Sequence, residues 1–301
     1  MRFAMMAYWP SRKEYELETK RIAVIGAGLM GNGIAQVAAQ AGFNVGLRDI
    51  DETVLQKAMA SIEKSLGRFV KGGKIAQEDA PVILGRICPT TSIEEAAGSA
   101  DYVIEAVTEN LDLKQRLFAE LDSICPSHSI LATNTSQLSV TVIASATKRA
   151  SQVIGTHWFS PPAMMRLVEV VRGMQTSQET LDSTLALAKT MGKETVVCKD
   201  SRGFITSRAF GAFMSECVRI LEEGIATPED IDKAIKLGFN HPMGPFELMD
   251  FGGLDVAFNA MSGLEEAFGP RFKPPQVLKI LVNAGYLGPK SGRGFYSYDK
   301  K

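Results

Sequence analysis

The densest gathering of side chains able to do acid–base chemistry in this 301-residue chain lies between Asn134 and Glu169. It comprises Asn134-Thr-Ser136, the His157 of Gly-Thr-His-Trp-Phe-Ser-Pro-Pro162, and the Glu169 of Leu-Val-Glu-Val-Val171. A lone histidine at a strand end usually serves the fold, and a lone glutamate in a strand usually meets solvent. Together they suggest something else. An imidazole with an unperturbed pKa near 6.5 passes protons both ways around neutral pH. Such a base suits a reaction in which a hydroxyl proton leaves while hydride departs from the carbon that carries it.

Hydride needs an acceptor, and a segment able to hold one stands near the start of the chain. Gly26-Ala-Gly28-Leu29-Met30-Gly31 is a GxGxxG between the apolar run Ile22-Ala-Val-Ile25 and a small-residue helix read over 33–41. The first glycine permits the sharp turn, the second lets backbone approach a pyrophosphate, and the third lets helix pack on strand. The helix N-terminus adds N–H donors and the positive end of its dipole. Asp49 ends the next strand, eighteen residues beyond Gly31. A carboxylate there accepts both ribose hydroxyls of NAD and repels a 2′-phosphate. Arg48 is the residue type that serves NADP, but the acidic neighbour governs the reading. NAD is therefore the expected cofactor, bound by Gly26, Gly28, Leu29, Met30, Gly31 and Asp49.

The elements that must position these residues alternate. Strands read over 22–25, 44–49, 102–107, 129–132, 153–156, 167–171 and 195–198 are separated by helical stretches over 51–70 and 111–124 and by a helix before 195, whose start Thr176-Ser-Gln-Glu179 fits a capping box. This is an α/β pattern, a Rossmann-type and mostly parallel sheet covered on both faces. After Asp200 the strand signals stop. Helices are read over 204–221, 230–237, 246–268 and 276–282, with Thr227-Pro228 as a helix start. The expected organisation is an extension over 1–20, an NAD-binding domain over 21–200, and an all-helical C-terminal domain over 201–301.

Composition removes other function classes. Lys+Arg 33 against Asp+Glu 34 gives a net charge of -1, so a domain-wide basic footprint for nucleic acid is absent. No apolar run approaches the roughly 20 residues of a membrane helix. The apolar patch over 3–9, broken by Pro10, is too short for a secretory signal. Cys88, Cys125, Cys198 and Cys217 form no Cys-x-x-Cys pair and read as reduced thiols. With three scattered histidines, His128, His157 and His241, no metal site is expected. The expectation is a soluble, cytoplasmic enzyme.

The motifs, taken in order, resemble one family. Gly26-Ala-Gly-Leu-Met-Gly31, Val103-Ile-Glu-Ala-Val-Thr-Glu-Asn110, Asn134-Thr-Ser136, Gly-Thr-His157 and Leu-Val-Glu169-Val are similar to those of the L-3-hydroxyacyl-CoA dehydrogenases. So are Lys199-Asp-Ser-Arg-Gly-Phe204, Pro242-Met-Gly-Pro245 and Lys290-Ser-Gly-Arg-Gly-Phe-Tyr296, and only the first twenty residues fall outside the match. The resemblance implies NAD-dependent oxidation of a 3-hydroxyacyl-CoA, with His157 as general acid/base, Glu169 holding its ring, and Ser136 hydrogen-bonding the reacting oxygen. It implies that Glu109 and Lys114 border the cofactor and that Lys290 reaches it. It also implies an acyl-CoA substrate and a homodimer formed through the helical domain.

CoA contacts are expected along the helix over 51–70 and its end. Lys64, Arg68, Lys71 and Lys74 would share one basic face on a continuing helix, although Gly72-Gly73 ends it before Lys74. A solvated face is the default explanation of these charges. The resemblance adds Ser65 and, in the stretch where Gly72 occupies the family lysine's strict position, Lys71. Two further substrate positions depart from the family. Ser160 and Ser207 stand where it usually has asparagine, and serine lacks the amide's two N–H donors. Either the replacements are neutral, or they alter acyl preference toward a branched or cyclic 3-hydroxyacyl-CoA. Dehydrogenases of free L-gulonate or L-carnitine generally carry proline after the histidine, where this chain has Trp158. A low-turnover NAD-binding relative of the lens-crystallin kind rests only on the two missing asparagines.

Overall fold

The computed structural model describes residues 19–298, which form two compact units, one ending at Asp200 and the other beginning at Ser201. The extension read over 1–20 therefore lies, apart from Thr19 and Lys20, outside the described residues.

The first unit is built on eight strands: β1 (Arg21–Ile25), β2 (Asn44–Arg48), β3 (Ile87–Thr90), β4 (Tyr102–Glu105), β5 (Ile130–Thr133), β6 (Val153–Trp158), β7 (Leu167–Arg172) and β8 (Glu194–Lys199). They join in the order β3-β2-β1-β4-β5-β6-β7-β8, all neighbours parallel except β6 and β7. Parallel strands covered on both faces must be apolar throughout rather than alternating. The central strands obey this: Ile22, Val24, Val103, Ile104, Leu131 and Ile154 are all buried. Helices Leu29–Gln40, Glu52–Lys71, Leu111–Ile124 and Gln178–Thr190 accompany the sheet.

Three local features differ from the sequence reading. The four-residue β3, Ile-Cys-Pro-Thr, carries no strand signal, because Pro89 cannot donate to a ladder. It survives as the sheet's edge, paired only with β2. The cap of helix Gln178–Thr190 is Ser177, whose hydroxyl accepts the Thr180 N–H; Thr176 instead donates to the Val153 carbonyl at 2.6 Å. The long helix read over 246–268 is two, Pro245–Gly252 and Leu254–Phe268. They are separated by Gly253, whose φ of 95° no helix continues through.

The second unit is helical, with Thr206–Glu222, Pro228–Phe239, Pro245–Gly252, Leu254–Phe268 and Gln276–Asn283 around Met214, Val218, Phe246, Leu254 and Leu278. Two buried carboxylates fasten its C-terminal tail. Asp250 accepts from the N–H groups of Phe295 (2.9 Å) and Tyr296 (3.0 Å) and from the Tyr298 hydroxyl (3.0 Å). Asp232 accepts from the N–H groups of Phe246 and Glu247 and from the Tyr296 hydroxyl at 2.7 Å. Burial first, then the facing Asp232, pushes the Tyr296 phenol above its ordinary range, so it stays a donor. Each hydrogen bond to such a charge contributes about 1.5–3 kcal/mol. Asp250→Ala strands three donors and is expected to lower unfolding free energy by about 3 kcal/mol or more, read by urea denaturation of the full chain.

Candidate active site

Because β1, β4, β5 and β6 run parallel, their carboxyl ends share one edge of the sheet. Arg48, Ile25, Glu105, Thr133 and Gly155 stand in a single row across β2, β1, β4, β5 and β6. The residues that follow this row make the site, at the switch point where chain connections leave β1 and β4 in opposite directions.

The glycine turn opens there. Gly26 has φ of 101°, and a Cβ on it would lie 2.7 Å from the Ala106 carbonyl oxygen. A Cβ on Gly31 would lie 1.7 Å from the Gly26 oxygen, so helix Leu29–Gln40 can start this close to β1 only with glycine. Gly28 differs: a Cβ there meets nothing within 4 Å. It caps the helix without a side-chain bond, and no acidic residue occupies the first turn. Leu29 beside it is exposed and Met30 half-buried. This is an open, uncapped helix start fit for a pyrophosphate. Asp49 braces the turn by accepting the Ala27 N–H at 2.8 Å. Arg48 turns away and donates to the Thr91 carbonyl. The turn and its carboxylate thus fit NAD.

At the same edge, the reversed strand β7 places Glu169 directly opposite His157 in the β6 ladder. Nδ1 of His157 lies 2.7 Å from Oε2 of Glu169, with the histidine side chain 8% and the glutamate side chain 0% exposed. The ring also packs against Phe159, centroids 4.6 Å apart. A buried carboxylate at this distance fixes the ring's rotation and favours the Nδ1–H tautomer, which assigns proton exchange to Nε2. Asn134, at the end of β5, accepts the N–H of Trp158 at 3.0 Å and ties the two strand ends together.

Ser136 lies on the loop after β5, and Glu109 on the loop after β4 binds it. One carboxylate oxygen of Glu109 accepts from the Thr135 hydroxyl (2.6 Å) and from the N–H groups of Ser136 (2.8 Å) and Gln137 (3.1 Å). Its other oxygen lies 3.5 Å from the ammonium of Lys114. Lys114 is 1% exposed, and its ammonium is held between Glu105, Glu109 and the Val107 carbonyl. It is therefore buried, in contact with the carboxylates of both glutamates. Glu105 and Asn134 went unassigned in the sequence, although a carboxylate within the apolar run 102–107 was a signal.

The other sequence-predicted residues are spread more widely. Ser65 is on the buried face of helix Glu52–Lys71 with Ile62 and Leu66, while Lys64, Arg68 and Lys71 are on its exposed face. Gly72 caps that helix, and Lys74 beyond it stacks over Phe69 at 5.0 Å. Ser160 is exposed on the loop between β6 and β7. Lys193 donates to the Pro162 (2.7 Å) and Met165 (2.8 Å) carbonyls of that loop. Ser207 and Lys290 belong to the second unit, the former in the first turn of helix Thr206–Glu222 and the latter paired with Asp255 at 2.5 Å. His128 is an exposed partner of Asp101, and His241 packs near Phe213 and Phe239. Burial raises the thiols of Cys125 and Cys217 to about 11 and that of Cys198 to about 12, the last with help from Glu169. None is a thiolate at neutral pH. Among the described residues no cluster of three metal-ligating side chains occurs, and no helix is long and apolar enough to cross a membrane.

Residues 21–201 match the family described as 3-hydroxyacyl-CoA dehydrogenase, NAD binding domain, and residues 203–298 match 3-hydroxyacyl-CoA dehydrogenase, C-terminal domain. The chain is 44% identical over 286 residues to a Bacillus subtilis protein named "Probable 3-hydroxybutyryl-CoA dehydrogenase", covering 95% of this chain and 99% of that one. It is also 44% identical over 286 residues to the mitochondrial hydroxyacyl-coenzyme A dehydrogenase of Rattus norvegicus, covering 93% and 91%. The crystal structure of (S)-3-hydroxybutyryl-CoA dehydrogenase from Ralstonia eutropha superposes with a TM-score of 0.90 at 42% identity, covering 94% of this chain and 100% of that one. The geometry of the turn makes a direct prediction. Gly31→Ala is expected to abolish NAD binding measured by NADH fluorescence titration, since its methyl would occupy the position of the Gly26 carbonyl.

Proposed function

The chain belongs to the 3-hydroxyacyl-CoA dehydrogenase family, and from that premise we propose how its residues divide the oxidation of a 3-hydroxyacyl-CoA. It is an NAD-dependent oxidoreductase of that class. NAD, when bound, supplies the hydride acceptor. His157 removes the hydroxyl proton of an (S)-3-hydroxyacyl-CoA through Nε2 as the 3-oxo product forms, and returns it in the reverse direction. Glu169 orients the imidazole from Nδ1 and stabilises its protonated form. Ser136 donates to the reacting oxygen.

Gly26, Gly28, Leu29, Met30 and Gly31 receive the pyrophosphate and Asp49 the ribose, while Glu109, Lys114 and Lys290 complete the cofactor's border. On the substrate side stand Ser65, Lys71, Ser160 and Ser207. The helical unit 201–301 serves substrate binding and homodimerisation, and the unit 21–200 binds NAD. Fatty-acid β-oxidation or butanoate metabolism in the cytoplasm is the setting; four free thiols fit a reducing compartment. The observation that carries the reading is the buried 2.7 Å contact of His157 with Glu169 at the carboxyl edge of the sheet.

NADH formation from NAD is expected with 3-hydroxybutyryl-CoA and not with L-gulonate or L-carnitine. His157→Gln should lower kcat by about a hundred- to ten-thousandfold, the usual contribution of a positioned base, and retained turnover would overturn the assignment. The serines at 160 and 207 are read as shifting preference toward branched or cyclic acyl chains. Converting both to asparagine should change the ratio of kcat/KM between straight and cyclic substrates by about tenfold, the worth of one lost or gained polar contact. An unmoved ratio would make the replacements neutral.

A further inference from the structure

We propose that Glu105 and Lys114 are a buried positioning pair that sets the Thr135–Gln137 loop, and with it Ser136, for the reaction. The inference rests on the assignment of Ser136 to the reacting oxygen and adds two residues that do not touch that oxygen.

Glu105 is the last residue of β4, in the middle of the sheet, and is 0% exposed. One of its oxygens accepts from the Lys114 ammonium at 2.5 Å and the Val107 N–H at 2.7 Å. The other accepts from the Thr133 hydroxyl at 2.6 Å. Thr133 is the neighbour of Glu105 in the β4–β5 ladder and stands three residues before Ser136. Lys114 lies within reach of two carboxylates, buried Glu105 and half-exposed Glu109, and Glu109 grips the Thr135–Gln137 loop through three donors. The Ser136 loop is thus held from two sides. Thr133 ties its stem to Glu105 directly, and Glu109 ties its tip to Glu105 through Lys114.

Stability alone gives no reason for this arrangement. Burying a carboxylate and an ammonium costs each its hydration, and a well-packed apolar pair of similar volume is often as stable or more so. What the charged pair provides and an apolar pair cannot is direction. It holds Glu109, and Glu109, by accepting the Ser136 N–H, sets where the Ser136 hydroxyl stands; a misplacement of about 1 Å at such a site costs about a hundredfold in rate.

The test uses the full chain with both charges removed together, Glu105→Gln with Lys114→Met, so that neither is left buried alone. Circular dichroism and thermal melting establish that the variant is folded, and kinetics are read well below its transition. We expect kcat at saturating NAD to fall by about tenfold or more. In a Ser136→Ala background the same pair should cost little further, because both changes remove one function. A folded variant with wild-type kcat overturns the proposal, as does a loss of equal size with and without Ser136. If Ser136→Ala alone leaves kcat unchanged, the Ser136 assignment fails and takes this inference with it, so the two failures are distinct. If the double variant does not fold, Glu109→Gln on the surface replaces it. It keeps an acceptor for the loop and loses the charge that Lys114 holds. The same fall in kcat, absent without Ser136, is expected, and unchanged kcat overturns the proposal.

Discussion

The hydrogen bond between His157 and Glu169 depends on a single reversal of strand direction. In a wholly parallel sheet the end of β6 would have the carboxyl end of its neighbour beside it, and that end would be Val170–Arg172. Because β7 runs backward, its first half reaches the same edge, and the ladder pairs His157 with Glu169 and Thr156 with Val170. Two side chains twelve residues apart then point to the same face at adjacent positions, where a direct bond needs no loop to close it. Burial follows from the same geometry, since both strands sit within the sheet rather than at its edge. Burial in turn gives the carboxylate its effect on the ring, because water does not screen a contact that it cannot reach.

A buried carboxylate must be answered, and four among the described residues are answered by donors gathered around them. Glu169 faces an imidazole, Glu105 faces an ammonium with a hydroxyl and an N–H, and in the second unit Asp232 and Asp250 each gather three donors. Fully satisfied groups of this kind are rigid, because moving any member strands the others at a cost of about 1–3 kcal/mol apiece. Those of the first unit cluster at the carboxyl ends of the strands and those of the second fasten its tail. Polar burial therefore marks where position matters, and aliphatic packing elsewhere supplies the bulk of stability.

What was legible in the sequence was whatever declares itself by local pattern. Gly26, Gly28 and Gly31 with Asp49 at the next strand end form such a pattern, and so does the run of apolar strands between amphipathic helices. His157 and Glu169 were legible as types, but their partnership needed the β6–β7 reversal, which no local signal announces. Thr176 and Ser177 are equally good caps, and the choice between them turned on the Val153 carbonyl, which only the folded sheet brings near. β3 was hidden by Pro89, tolerable because the strand has one neighbour. The break at Gly253 reads as a single glycine in a helical run until its backbone is seen. Glu105 sat inside a strand signal in which one charge counted as noise. Lys114 was placed beside the cofactor by family resemblance; that its ammonium is buried between Glu105 and Glu109 shows only in the fold.

The same division bears on Ser160, read by resemblance as standing where the family usually has asparagine. Ser160 is exposed on a loop whose backbone is held from behind by Lys193, and that ammonium's pKa is lowered by its own burial. A loop fixed through its carbonyls does not depend on the side chain it displays, so an asparagine-to-serine exchange there leaves the backbone path intact. Glu169 or Glu105 has no such freedom, since each side chain is itself the fastening. Substitutions that alter substrate preference are thus expected to gather on displayed side chains such as Ser160. Those that alter the chemistry are expected to fall on buried, fully bonded ones.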